Sequence, residues 1–241
     1  MLSIRATERI LIIGDTHIPA CHPDYLDFVS QVRDEYDLTT HIHVGDVTDW
    51  QSASFHEHDP DLTSPGDELE LIRSAIQPWA EEFPDLFISE GNHCKIPARR
   101  LKAAGLPKAF LKDANELYGT PAGWVWQPNY IQFELECGMP VVVQHSFAAS
   151  LNAGKHKLRS ESVVAGHHHS QAGVVWNTDT RYRRFFLATG CGVDHNHPAF
   201  DYGKNGICNI VSHGCGIIID GAAYHIPMFL DEDGRWNGKV P

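Results

Sequence analysis

The chain has 241 residues, of which 42% are hydrophobic and 21% are charged, and its formal net charge is −12 with the histidines neutral. This length and composition are ordinary for a globular protein that buries a sizeable core. No apolar run approaches the roughly 20 residues that a membrane-spanning helix needs, and charges interrupt the N-terminal stretch, so we expect a cytoplasmic protein without a signal peptide. The acidic balance disfavours general affinity for nucleic acid, because phosphates are neutralised by basic side chains.

Two residue types stand out in the composition. The six cysteines lie at positions 21, 94, 137, 191, 208 and 215, without a CxxC pair, and we interpret them as small buried residues rather than a disulfide framework. The histidines number sixteen and are unevenly placed. Their clustering is the first indication of a functional site.

The predicted elements alternate between strand and helix in the first part of the chain, as is typical of α/β proteins. Strands are predicted at 9–14, 40–45, 86–89, 141–144 and 162–166, and helices at 23–36 and 67–83, the second bent near Pro78. After residue 172, short glycine-punctuated runs rich in branched and aromatic residues predict antiparallel strands at 173–177, 183–190, 207–212, 215–220 and 222–229. Two sheets packed face to face with helices outside would accommodate both patterns. No linker divides the sequence, so we expect one domain over residues 1–241.

Five predicted strands end in side chains that can bind a metal ion. These side chains are Asp15 and His17, then Asp46, then Asn92 and His93, then His145, and finally His167 to His169. Each motif alone is a common polar turn. Parallel strands, however, present their carboxyl ends to one shared crevice, so the five ends together predict one site. The mixture of carboxylate, amide and imidazole ligands suits divalent transition metals.

The number of candidate ligands indicates two ions. The candidates are Asp15, His17, Asp46, Asn92, His145, His167 and His169. Two ions roughly 3.5–4 Å apart that share one carboxylate would need about this number of ligands. Because four of the seven are imidazoles, we expect Mn²⁺, with Fe, Zn or Ni as alternatives, rather than Ca²⁺.

The motifs and their order resemble the calcineurin-like metallophosphoesterase superfamily. They are GDTH at 14–17, GD at 45–46, GNH at 91–93, QHS at 144–146 and GHHH at 166–169. The resemblance implies a four-layer α/β/β/α sandwich with two packed mixed sheets. It also implies a phosphohydrolase in which metal-activated hydroxide attacks a phosphomonoester or phosphodiester.

The resemblance also implies a role for each residue. The first ion would be held by Asp15, His17 and His169, the second by Asn92, His145 and His167, and both by Asp46. His93 would contact the phosphate and protonate the leaving oxygen, whereas His168 would point away. Cys94 stands where many relatives have Asp or Glu, which leaves the partner of His93 open. Trp50 stands where the Ser/Thr phosphatases carry Arg, which disfavours a protein phosphatase.

A basic segment follows the GNH motif and bears on the substrate. Residues 95–112 contain six basic side chains and no acidic one. They form either a solvated helix face or a cationic rim in which Arg99 and Arg100 receive phosphate. A small phosphoester is the leading substrate. The alternative is a nuclease of the Mre11/SbcD kind acting on DNA or RNA, which the basic segment favours and the acidic total disfavours. A non-catalytic binding module is disfavoured by the full ligand set. We expect surface loops for the His-rich segments 55–59 and 194–197.

Overall fold

The computed structural model describes residues 3–4, 9–55, 63–197 and 211–241. Within these ranges the strands are β1 Ser3–Ile4, β2 Arg9–Ile13, β3 Thr40–His43, β4 Leu86–Ser89, β5 Trp124–Gln127, β6 Tyr130–Glu134, β7 Pro140–Gln144, β8 Ser162–Ala165, β9 Ala172–Thr178, β10 Arg183–Thr189, β11 Gly214–Ile219 and β12 Ala222–Pro227. The helices are α1 Tyr25–Glu35, α2 Pro65–Glu82, α3 Ile96–Ala103, α4 Ala114–Tyr118 and α5 Leu151–Lys157. Short 3₁₀ turns occupy Gln51–Ala53 and Lys108–Phe110.

The strands form two mixed sheets of six strands each. Sheet I has the order β12-β11-β2-β3-β4-β5, and sheet II has the order β1-β6-β7-β8-β10-β9. In sheet I, the strands β2, β3, β4 and β5 are parallel, β11 pairs with β2 in the antiparallel sense, and β12 pairs with β11 in the antiparallel sense. In sheet II, β7, β8 and β10 are parallel, and β9 pairs with β10 in the antiparallel sense.

Alternating side chains of each strand serve two different cores, as the two-residue period of a strand requires. In β2, Leu11 and Ile13 pack with the buried faces of α1 and α2, whereas Ile10 and Ile12 lie in the core between the sheets. In β10, Phe185 faces the same inter-sheet core, whereas Phe186 faces the opposite side and packs near α5. The molecule therefore has four layers in the order α/β/β/α, as predicted.

Local sequence explains where α2 begins. Ser64 accepts a hydrogen bond from the backbone nitrogen of Asp67 at 3.2 Å, and Pro65 occupies the first turn, where its missing N–H is not needed. The helix continues through Pro78 to Glu82. Its buried face includes Ile72, Ile76 and Trp79 at helical spacing. None of the described helices is long and apolar enough to cross a membrane.

Most predicted elements are confirmed. The strands β1, β5 and β6 and the helices α4 and α5 were not predicted, and α3 lies in the basic segment 95–112, for which a helix was one of two interpretations. The predicted strand 207–212 lies mainly outside the described residues, and 211–212 are not in a strand. Of the His-rich segments, 194–197 forms a turn, whereas 56–59 lies outside the described residues. The five described cysteines are free, but Cys137 is exposed, which contradicts the prediction that the cysteines are buried.

Candidate metal centre

The turns that follow β2, β3, β4, β7 and β8 meet at one edge of the two sheets. The backbone nitrogen of His17 donates to the carbonyl of Asp46 at 2.8 Å, and that of His93 donates to the Asp46 carboxylate at 2.7 Å. The backbone nitrogen of His167 donates to Asp15 Oδ2 at 2.9 Å, which links the turn after β8 to the turn after β2. Both sheets thus contribute to one site, and all seven predicted ligands lie in it.

One group of ligand atoms belongs to Asp15, His17 and His169, and these atoms lie within 4.8 Å of one another. The His169 Nε2 atom is 3.2 Å from Asp15 Oδ2. Asp15 is fully buried, and its Oδ1 atom accepts no hydrogen bond from any residue that the structure describes. An ionised carboxylate in such a place needs positive charge nearby.

A second group gathers Asp46, Asn92, His145 and His167 around one imidazole nitrogen. His145 Nε2 lies 3.0 Å from Asp46 Oδ2, 2.9 Å from Asn92 Oδ1 and 3.1 Å from His167 Nδ1. A ring nitrogen carries at most one hydrogen, so it cannot donate to three acceptors. Ligands bound to a divalent transition metal at about 2.0–2.2 Å lie about 3 Å apart in an octahedral shell. The donor types and their spacing therefore fit a metal ion.

Asp46 lies between the two groups. Its Oδ2 atom, 3.0 Å from His145 Nε2, is also 3.7 Å from His17 Nε2. Burial alone would raise the pKa of Asp46, but His145, His17 and His93 hold that pKa below its usual value. The ionised carboxylate is therefore favoured, and it lies next to one histidine of each group.

Asp49, which was not predicted as a site residue, holds two of the site histidines. Its side chain is 2% exposed, and Oδ1 is 2.7 Å from His17 Nδ1 and 3.1 Å from His93 Nδ1. The carbonyl of Asp49 also accepts from His93 Nδ1 at 2.7 Å. Burial would raise the pKa of Asp49, but the hydrogen bonds from the two histidines lower it to about 2. The only signal in the sequence is a second Asp three residues after Asp46.

The two histidines that Asp49 holds have pKa shifts in opposite directions. Burial lowers the pKa of His17, which favours the neutral ring, and with Nδ1–H donated to Asp49 the Nε2 atom is the one that would bind a metal. Burial would also lower the pKa of His93, but the hydrogen bond to Asp49 and the charge of Asp46 raise it to about 9. His93 is therefore suited to carry a proton on Nε2.

Three candidate ligands have left-handed backbones, namely His17, Asp46 and His167, with φ of 49°, 48° and 70°. Such conformations cost of order 1 kcal/mol or more for residues other than glycine and concentrate at functional sites. Glycine is required beside the carboxylates for a different reason. A Cβ atom on Gly91 or Gly166 would lie 2.0 Å from Asp46 Oδ1 or Asp15 Oδ1, respectively.

A family model for calcineurin-like phosphoesterases matches residues 8–193, a range that contains every residue of the centre. The chain belongs to the calcineurin-like phosphoesterase family. A search of curated proteins found no match.

Three solved structures are similar to this calcineurin-like phosphoesterase. YfcE, a phosphoesterase from E. coli, is 12% identical, with 95% of this chain and 96% of that chain covered and a TM-score of 0.42. Vps29 of Chaetomium thermophilum is 16% identical, with coverages of 97% and 94% and a TM-score of 0.47. Vacuolar Protein Sorting 29 of Cryptosporidium parvum is 13% identical, with the same coverages and a TM-score of 0.45. Similarity at this level does not bear on activity.

Cys94, where many relatives carry an acid, does not support His93 in this calcineurin-like phosphoesterase. Burial raises the pKa of the Cys94 thiol to about 12, so the thiol is neutral. Asp49 takes the supporting place instead. His168 belongs to neither ligand group, and its ring meets the edge of His167 at 4.8 Å between centroids.

The arginines proposed to bind substrate contact Phe55 or the residues just before it. The guanidinium carbons of Arg99 and Arg100 lie 4.9 Å and 4.0 Å from the centre of the Phe55 ring. Arg100 also donates hydrogen bonds to the carbonyls of Ala53 and Ser54. The structure thus gives Arg100 a role in packing residues 53–55, while both side chains remain exposed.

Proposed function

We propose that the protein is a dinuclear-metal-dependent phosphohydrolase that cleaves a small phosphomonoester or phosphodiester, and that residues 1–241 form one such domain. The observation that supports this proposal is the pair of ligand groups on either side of Asp46, next to a histidine that Asp49 holds. One ion would bind Asp15, His17 and His169, the other Asn92, His145 and His167, and both would bind Asp46. Mn²⁺ suits this mixture of imidazole and oxygen ligands, with Fe, Zn or Ni as alternatives.

Divalent ions at these positions would acidify a water molecule to give a hydroxide nucleophile and would neutralise charge on the phosphoryl oxygens. The chain supplies the proton for the leaving oxygen. His93 donates Nδ1–H to Asp49, so its second ring nitrogen, Nε2, carries the proton to be transferred. The Asp49 carboxylate, 3.1 Å from His93 Nδ1, stabilises the protonated ring.

Exposure indicates the side from which the substrate arrives. Asn92 and His167 are exposed, whereas Asp15, His17 and Asp46 are buried. A phosphate group therefore approaches from the Asn92 and His167 side, where the second ion would lie. Arg99 and Arg100, in α3, stack on the ring of Phe55 instead of facing a phosphate backbone. This arrangement favours a small phosphoester over a nucleic acid as the substrate.

The test combines metal analysis with a comparison of leaving groups. Protein purified without chelator should contain about two transition-metal ions per chain by elemental analysis. His93→Ala should keep both ions and lose most of the rate on an alkyl phosphate, with a smaller loss on p-nitrophenyl phosphate, because nitrophenolate leaves without a proton. His156→Ala, on the exposed end of α5, is the matched control.

Two outcomes would contradict the proposal. Absence of bound metal, together with no activity after Mn²⁺ is added, would exclude a metal-dependent hydrolase. Equal losses on the alkyl and nitrophenyl esters would show that His93 is not the general acid.

A further inference from the structure

A buried histidine outside both ligand groups lies between two of the turns that carry ligands. His43 is the last residue of β3 and is 1% exposed, as is Thr16, which separates Asp15 from His17. The His43 Nε2 atom is 3.2 Å from Thr16 Oγ1, and Thr16 Oγ1 is 3.0 Å from the carbonyl of Val47. On the other side of the ring, Nδ1 is 3.1 Å from the backbone nitrogen of Gly45.

The direction of each hydrogen bond in this series follows from the groups at its two ends, the Gly45 N–H and the Val47 carbonyl. A backbone N–H can only donate, so Gly45 donates to His43 Nδ1, which therefore carries no hydrogen. The ring hydrogen is then on Nε2 and is donated to Thr16 Oγ1. The Val47 carbonyl can only accept, so the Thr16 hydroxyl donates to it. Each donor in this series of three hydrogen bonds has one acceptor, and both ring nitrogens of His43 take part.

This series of hydrogen bonds joins the turn after β2 to the turn after β3. Gly45 has a φ of 116° and precedes Asp46, which is left-handed, so the Gly45 peptide sets the direction of the Asp46 carboxylate. The same two turns are joined by the backbone bond from His17 to the Asp46 carbonyl. The backbone nitrogens of Thr16 and Ile18 add bonds to the carbonyls of Asp46 and Val47. The His43–Thr16 contact therefore adds a buried side-chain link to a junction that the backbone already holds.

We propose that His43 is a positioning residue that acts through Thr16 to hold the Asp46 turn against the Asp15–His17 turn, at the spacing that a metal ion shared between them requires. This role rests on the proposed metal centre. His43 does not bind the ion itself, because neither of its ring nitrogens has a free lone pair. Residues that orient metal ligands in this way typically contribute about 10–100-fold to metal affinity.

The test measures Mn²⁺ binding by calorimetry on the full chain after chelator treatment. Thr16→Val removes the hydroxyl with little change of shape, and Thr16→Ser restores it. His43→Asn keeps an acceptor near the Nδ1 position but loses the donor to Thr16. His41→Asn is the matched control, since His41 lies on the same strand and its ring is near the carbonyls of Asp85 and Leu38 instead.

We expect Thr16→Val and His43→Asn each to weaken Mn²⁺ binding at least about tenfold, and the double variant to be no weaker than the poorer single variant. Thr16→Ser should bind like the wild type, and so should His41→Asn. Long-range proton–nitrogen NMR spectra should show the His43 hydrogen on Nε2. Urea unfolding in the presence of chelator measures any general loss of stability, which a purely structural role would show without a change in affinity.

The inference and the proposed function fail in different ways. If the wild type binds Mn²⁺ and Thr16→Val and His43→Asn bind it equally well, the positioning role is refuted and the metal centre stands. The same holds if His41→Asn loses as much affinity as His43→Asn, or if Thr16→Ser fails to restore it. If the wild type binds none of Mn²⁺, Fe²⁺, Zn²⁺ and Ni²⁺, both the metal centre and the role of His43 in it are refuted.

Discussion

Asp49→Asn is the most informative single substitution, because one carboxylate oxygen serves both a proposed ligand and the proposed acid. Asp49 Oδ1 is 2.7 Å from His17 Nδ1 and 3.1 Å from His93 Nδ1, in a place where only 2% of the side chain is exposed. The amide keeps the shape but loses the charge. It therefore weakens both hydrogen bonds and no longer holds the pKa of His93 at about 9.

The expected magnitude follows from the two roles. A general acid is typically worth about 10²–10⁴-fold in rate, so impairing His93 should lower kcat on an alkyl phosphate by about 10²-fold or more, a barrier increase of at least about 2.7 kcal/mol. Weaker orientation of His17 should lower Mn²⁺ affinity by about tenfold. In a His93→Ala background, Asn at position 49 should cost little further rate at saturating Mn²⁺, because the acid is already absent.

The assay is steady-state kinetics on an alkyl phosphate and on p-nitrophenyl phosphate at saturating Mn²⁺, with binding measured separately. Asp24→Asn is the control, because Asp24 is also a buried carboxylate and its partners, Arg235 and the backbone of Trp236, lie away from the centre. The control should lose stability and keep kcat. A folded Asp49→Asn enzyme whose kcat on the alkyl ester stays within about threefold of the wild type would refute the reasoning.

Three further predictions concern the ligands and the substrate. Asp46→Asn should abolish turnover and lower the content of both ions in elemental analysis, since one carboxylate contacts both; full retention of either ion would contradict the bridging role. His168→Ala should change kcat and metal content less than about twofold, and a large loss of metal would show that the wrong two histidines of 167–169 were assigned. Activity on small phosphoesters should depend only weakly on salt, and Arg99→Glu should leave that dependence unchanged. Strong, salt-sensitive cleavage of DNA whose slope Arg99→Glu flattens would instead favour a nuclease.

The sequence by itself predicted the two packed sheets and predicted that the seven proposed ligands lie together at one edge. Two-residue alternation, as in Ile10 to Ile13, separates a helix-facing side from a sheet-facing side without knowledge of the partners. The carboxyl ends of parallel strands share an edge in any sheet of this kind. Chain order was therefore enough to group Asp15, Asp46 and His145.

Only the tertiary structure decided which residues support the ligands. Asp49 lies 32 residues from His17 and 44 from His93, and Thr16 lies 27 from His43. The contacts of Arg100 also join distant parts of the chain, because its side chain donates to the carbonyls of Ala53 and Ser54. Such contacts depend on how two turns with left-handed residues face each other and on which rotamers fit between them. No periodicity in the sequence encodes these choices, so a buried Asp or His in a turn motif acquires its role only when the turns are packed together.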